Sequence, residues 1–170
     1  MTSYRDLPKL TQSGNNSFSV PWVSLARTLD EYSTDVDPDF QRGHVWTRAQ
    51  QSAYIEFRLS GGMTGREIHL NYETPLTPEQ KTMLVDGKQR VTAVLDFLAD
   101  KIPVWGLFRS EITDFPRMDP EVSFIFHVND LKTRADVLQW YIEMNTGGMV
   151  HSAEEIARVR GLLNEEKAHG

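Results

Sequence analysis

The densest run of chemistry-bearing side chains is Asp86-Gly87-Lys88-Gln89-Arg90. It follows the apolar stretch Met83-Leu84-Val85 and precedes Val91, Val94, Leu95 and Leu98, which share one helical face. A strand that turns into a helix at Gly87 is the natural reading. Glycine permits the turn at no steric cost, and the first amides of the following helix are donors without intrahelical partners. Such an end attracts phosphate. Lys88 and Arg90 add positive charge, and a guanidinium can grip two phosphate oxygens at once. Asp86 is the candidate ligand for a Mg²⁺ bridging those phosphates. The plainer reading has Asp86 cap the helix while Lys88 and Arg90 face water. No full phosphate-loop signature decides between the two.

A second segment, Asp39-Phe40-Gln41-Arg42 followed by Val45-Trp46, sets a carboxamide and a guanidinium beside two aromatics. It has no regular period and stands just before a capped helix, where binding residues collect. Trp46 itself reads best as a core anchor. Charge supports a local anion site. The chain carries 18 Lys and Arg against 24 Asp and Glu, net −6. Residues 41–90 hold seven basic and five acidic side chains, +2, so the remainder carries −8. A broad phosphate-backbone binder with one large basic face does not fit this balance.

Regular elements must bring these segments together. Residues 22–33 have helical spacing, and 34–38 form an acidic turn. Thr47 and Gln50 make a capping box for a helix over 48–59 that stops at Gly61-Gly62. Glu67 to Tyr72 alternates as a half-buried strand does. Further strands are expected at 103–105 and 123–128, and a helix over 134–145 ending at Gly147-Gly148. Ser152 and Glu155 open a final helix through a second capping box. The expected fold is α+β (mixed α/β), a small sheet flanked by helices. Residues 1–17 are expected to be a flexible arm and 18–170 one domain.

The length of 170 residues suits a single core, and 39% apolar with 25% charged residues is a folding composition. With Cys 0, disulfides, thiolate metal sites and cysteine nucleophiles are excluded. No apolar run approaches a membrane span, and the N-terminus lacks a secretory layout, so a cytoplasmic protein is expected. The five histidines show no metal-binding spacing and no clustering with carboxylates along the sequence. The acidic run over 30–39 is read as a solvated loop.

Asp39-Phe40-Gln41-Arg42…Trp46 and Val85-Asp86-Gly87-Lys88-Gln89-Arg90 resemble the QR…W and DGQQR motifs of the ParB/sulfiredoxin-like superfamily. The similar branch is the N-terminal domain of GmrSD-type modification-dependent restriction systems, with relatives in phosphorothioate-sensing defence. Met144-Asn145-Thr146-Gly147-Gly148 with Glu155-Ile156 resembles a third motif of that branch, so the likeness covers about 18 to 160. The resemblance implies a ParB/sulfiredoxin-like fold and a nucleoside triphosphate site formed by Asp86, Gly87, Lys88, Gln89 and Arg90, with Gln41 and Arg42 facing it. Asp86 and Gln89 are the candidates for a catalytic role should hydrolysis follow. Lys88 departs from the family's usual glutamine, which favours binding over turnover. Without cysteine, sulfiredoxin chemistry does not carry over. None of His44, His69, His127, His151 or His169 begins the H-x-x-P signature of the nuclease part of such systems, so nuclease activity of the His-Asn-His type is not expected. The other functions to weigh are a DNA-binding module, using Phe40, Trp46 and Tyr54 to stack bases, and a phage- or island-encoded interaction protein acting on a partner or on its own copies.

Overall fold

Phe18 and Val20 alternate with serines, and they enter the fold as an edge strand, β1 (Asn16–Pro21), antiparallel to a strand more than one hundred residues later. The segment expected as a loose arm is thus structured from Asn16 onward, because that alternation lets Val20 reach the core. The computed structural model describes residues 16–41, 43, 45–72, 82–117, 119–146 and 153–169. The proposed arm before Asn16 lies outside these, as do Gly147, Gly148 and Ser152.

A short 3-10 turn over 22–24 leads into α1 (Leu25–Glu31). The helix α2 (Arg48–Leu59) starts where its cap predicts: the Thr47 hydroxyl accepts the Gln50 amide at 3.2 Å, and Gln50 Oε1 accepts the Thr47 amide at 2.9 Å. Next come β2 (Glu67–Tyr72), β3 (Thr82–Asp86), α3 (Lys88–Leu98), β4 (Ser123–Asn129), α4 (Arg134–Thr146) and α5 (Ala153–His169). The expected strand at 103–105 is instead a tight turn. Val104 and Leu107 bridge across Trp105 (φ 46°) and Gly106 (φ 79°), and Glu56 Oε1 accepts the Trp105 amide at 2.7 Å. Two successive left-handed residues reverse the chain before a ladder can grow.

The sheet has the order β1-β4-β2-β3, with β2 and β4 parallel and the outer pairs antiparallel. One face carries Val20, Ile68, Leu70, Leu84, Phe124 and Phe126 into a core completed by α1, α2 and α3. On the other side Val85 joins Phe40 and the apolar faces of α4 and α5, including Leu138, Tyr141 and Val159. Asn71 is fully buried on β2, and its carboxamide exchanges two hydrogen bonds with the Leu131 backbone, at 3.2 and 2.9 Å. That exchange fixes the turn between β4 and α4 and satisfies a buried amide that would otherwise be costly. The fold is α+β, a small mixed sheet flanked by helices, as its sequence pattern suggests.

The β2–β3 ladder contains one irregularity. His69 pairs with Asp86 but its neighbour Leu70 pairs with Leu84, so Val85 is an extra residue. Strict alternation would turn Asp86 to the same side as Leu84, into the core. The bulge carries it instead to the side of His69.

Candidate functional site

Gly87 joins β3 to α3 with φ +111°, a left-handed conformation that side chains rarely adopt. A Cβ there would also lie 2.4 Å from Ile68 Cδ1. The left-handed backbone calls for glycine, and a Cβ would also have to displace the end of the buried Ile68 side chain. It brings no side-chain cap to α3, whose first turn spans Lys88, Gln89 and Arg90. Asp86 does not cap this helix, contrary to the plainer reading.

Gln89 binds backbone. Its Oε1 accepts the amides of Val45 at 3.0 Å and Trp46 at 3.1 Å, and its Nε2 donates to Gly43 O at 3.3 Å. The loop of the first motif is thereby fastened to the first turn of the second. Gln41 strengthens the join by donating its side-chain amide to Leu84 O on β3. From the opposite side, Arg158 donates to Asp39 O at 3.1 Å and to Phe40 O, and Arg134 pairs with the Asp39 carboxylate at 2.7 Å. Trp46 packs on Tyr54 with ring centres 5.4 Å apart, partly buried against the core. Tyr54 in turn donates its hydroxyl to Gly65 O at 2.7 Å, and burial pushes its pKa up to about 12. Arg42 lies outside the described residues.

Both cations of the turn meet carboxylates. The Lys88 stem is buried and its ammonium pairs with Asp37, whose side chain is 71% exposed. Asp37 and Asp39 thus belong to the site and its frame, so the acidic run is more than a solvated loop. Arg90 Nη2 donates to Asp86 Oδ2 at 2.6 Å. His69 Nδ1 approaches the same oxygen at 3.8 Å, too far for a direct hydrogen bond but close enough for charge to be felt. Burial pushes the Asp86 carboxyl up, but His69 and Arg90 outweigh it and hold the pKa at about 2. A carboxylate of that strength stays ionised at neutral pH and is a poor proton acceptor there.

The imidazoles were not legible as a cluster along the sequence. His69 and His127 are register partners on β2 and β4, with rings stacked 5.0 Å apart at 19°. Trp140 of α4 presents to His69 at 6.0 Å in an edge-on arrangement. The expectation that no histidine clusters with a carboxylate is corrected here, because strand pairing joins residues far apart in sequence. A period-two signal around His69 and His127 on two strands was the available clue.

For Mg²⁺, Asp86 offers one carboxylate whose Oδ2 is already paired with Arg90. Among the described residues no group of three His, Cys, Asp or Glu is placed to hold a metal ion. A Mg²⁺ bridging phosphates would take Asp86 as a single protein carboxylate and needs no such group, and no chemical step is assigned to it. No family model, curated protein or solved structure matches the chain. No helix among the described residues is long and apolar enough to cross a membrane.

Proposed function

We propose that the chain is a nucleotide-binding module of the ParB/sulfiredoxin-like type, seating the phosphate tail of a nucleoside triphosphate at the first turn of α3. The observation that carries this reading is the Gln89 clamp, whose hydrogen bonds to residues 43, 45 and 46 make the two motif segments one continuous surface. Gln89 is then a positioning residue rather than a catalytic one. The helix end contributes amides, and Lys88 and Arg90 contribute charge.

Both cations rest on carboxylates, and this suits exchange. An ion pair open to water on one side contributes only about 0–1 kcal/mol, whereas a triphosphate offers several anionic oxygens to the same groups. Asp37 in particular is solvated enough to be displaced at little cost. The Arg90 side chain is only 19% exposed, but its partner Asp86 is 35% exposed, so a phosphate could reach the pair from the Asp86 side.

Titration calorimetry with ATP, GTP and CTP tests the proposal. The expected result is binding that weakens at least about tenfold in Arg90→Ala, the loss of one charge-assisted contact. Absence of heat at millimolar nucleotide would remove it. A gel-shift series run alongside separates the DNA-binding alternative, which demands a steep salt dependence.

A further inference from the structure

Strand pairing places one polar side chain from every strand in a single row. Ser17 of β1 stands opposite His127 of β4, His127 beside His69 of β2, and His69 opposite Asp86 of β3. Ser17 Oγ and His127 Nδ1 are 2.8 Å apart, in a hydrogen bond whose direction follows the tautomer. The bulge at Val85 brings Asp86 into this row, and the row ends where α3 begins.

Within it, His69 is held on three sides. His127 stacks on its face, Trp140 closes on it edge-on, and its Nδ1 is buried near Asp86 with no hydrogen-bond partner. Its side chain nevertheless remains 28% exposed, so part of the ring reaches solvent while Nδ1 does not. A carboxylate beside the buried nitrogen of an imidazole that still reaches solvent is an arrangement that suits a base.

Resting on the nucleotide-binding reading above, we propose that His69 is the general base for hydrolysis of the terminal phosphoanhydride, with Asp86 as the carboxylate that faces the imidazolium formed. A water oxygen bonds to the terminal phosphorus while the bond from that phosphorus to the bridging oxygen breaks. The water proton passes to His69 Nε2. The bridging oxygen leaves with the nucleoside diphosphate, its charge held by Arg90. The imidazolium, facing the Asp86 carboxylate, then returns the proton to solvent.

The groups that face His69 are Asp86 on β3, Arg90 on α3 behind it, His127 on β4 and the neutral Trp140 on α4. Glu67, two residues back on β2, acts on His127 and favours its charged form.

Phosphate release and calorimetry on the full chain with ATP and GTP decide the matter. His69→Gln is expected to lower kcat at least about 100-fold, with nucleotide Kd changed by less than about threefold. Added imidazole should restore part of the lost turnover, which a merely structural defect would not allow. His127→Gln, which removes the stacking partner but leaves the His69–Asp86 pair, should lower turnover less than His69→Gln does. Nucleotide binding without turnover in the unmodified protein, or turnover unchanged in His69→Gln, would overturn the assignment. Absence of nucleotide binding would instead remove the reading on which it rests.

Discussion

Gln89 Oε1 accepts the Trp46 amide at 3.1 Å, across 43 residues of sequence. One helical side chain therefore sets the path of a loop that has no regular structure of its own. Gln89→Ala should leave the amides of Val45 and Trp46 without this acceptor and cost about 1–2 kcal/mol in urea unfolding. Hydrogen exchange at those two amides should quicken far more than at the core of α3. Unchanged protection there would show that the clamp does not hold the loop.

Gly87→Ala combines a left-handed backbone with a contact at 2.4 Å to Ile68 Cδ1. A destabilisation of roughly 2–4 kcal/mol is expected. Adding Ile68→Val removes the clashing methyl but not the backbone strain, so the double variant should recover only part of the loss. Thermal or urea melts of the single and double variants measure the coupling. Strict additivity would separate Gly87 from the neighbouring strand.

Asp86 has its pKa held at about 2, below the ordinary carboxylate value of 3.8. In acid the unfolded chain takes up this proton first, so the stabilisation is complete above pH 4 and is lost as pH falls toward 2. Its carboxylate is 35% exposed, so the contribution after solvent screening is on the order of 1 kcal/mol. Asp86→Asn should lower stability at neutral pH by that order. The gap between variant and parent should close through the same acid window in urea titrations.

Asp37→Asn removes the carboxylate partner of the Lys88 ammonium. If Lys88 serves a phosphate, affinity for a triphosphate should rise about threefold or more, the sign expected from deleting a competing anion. Calorimetry in low salt reads this directly. Weaker binding would assign the Asp37 pair to the framework alone.

His127 has its pKa lowered, first by burial and then by the charge of His69, with Glu67 opposing. Protonating it costs the folded chain more than the unfolded one, so its share of stability is present above the ordinary imidazole range and falls away as pH drops below it. NMR titration should find its midpoint below that of an unperturbed histidine. In His69→Gln the midpoint should rise, since one of the two depressing causes is gone.

Much of the scaffold was legible because it rests on local signals. Thr47 and Gln50 marked the start of α2, the alternation of Glu67 to Tyr72 marked β2, and Gly87 marked the junction of β3 and α3. The convergence of the two motifs was legible only through resemblance to a family, since spacing along a chain does not say that Gln89 bonds to Trp46. What escaped depended on pairing between distant strands. Ser17, His127 and His69 belong to three strands, and no local period joins them. Trp105 escaped for another reason: a non-glycine residue at positive φ is uncommon, and Pro103-Val104-Trp105 has strand-like composition. Asp37 was read as solvated because its partner Lys88 lies far along the sequence.

The inner sheet pair, β2 with β4, and the outer pair, β1 with β4, both wait on the last strand, and the Ser17–His127 contact alone spans 110 residues. During synthesis, α2 can form early, but the sheet lacks its organising strand until Ser123–Asn129 has left the ribosome. So large a loop to close makes for a slow transition state and leaves apolar strands uncovered in the meantime. Nascent chains arrested before residue 123 should therefore engage chaperones that chains arrested well beyond it release.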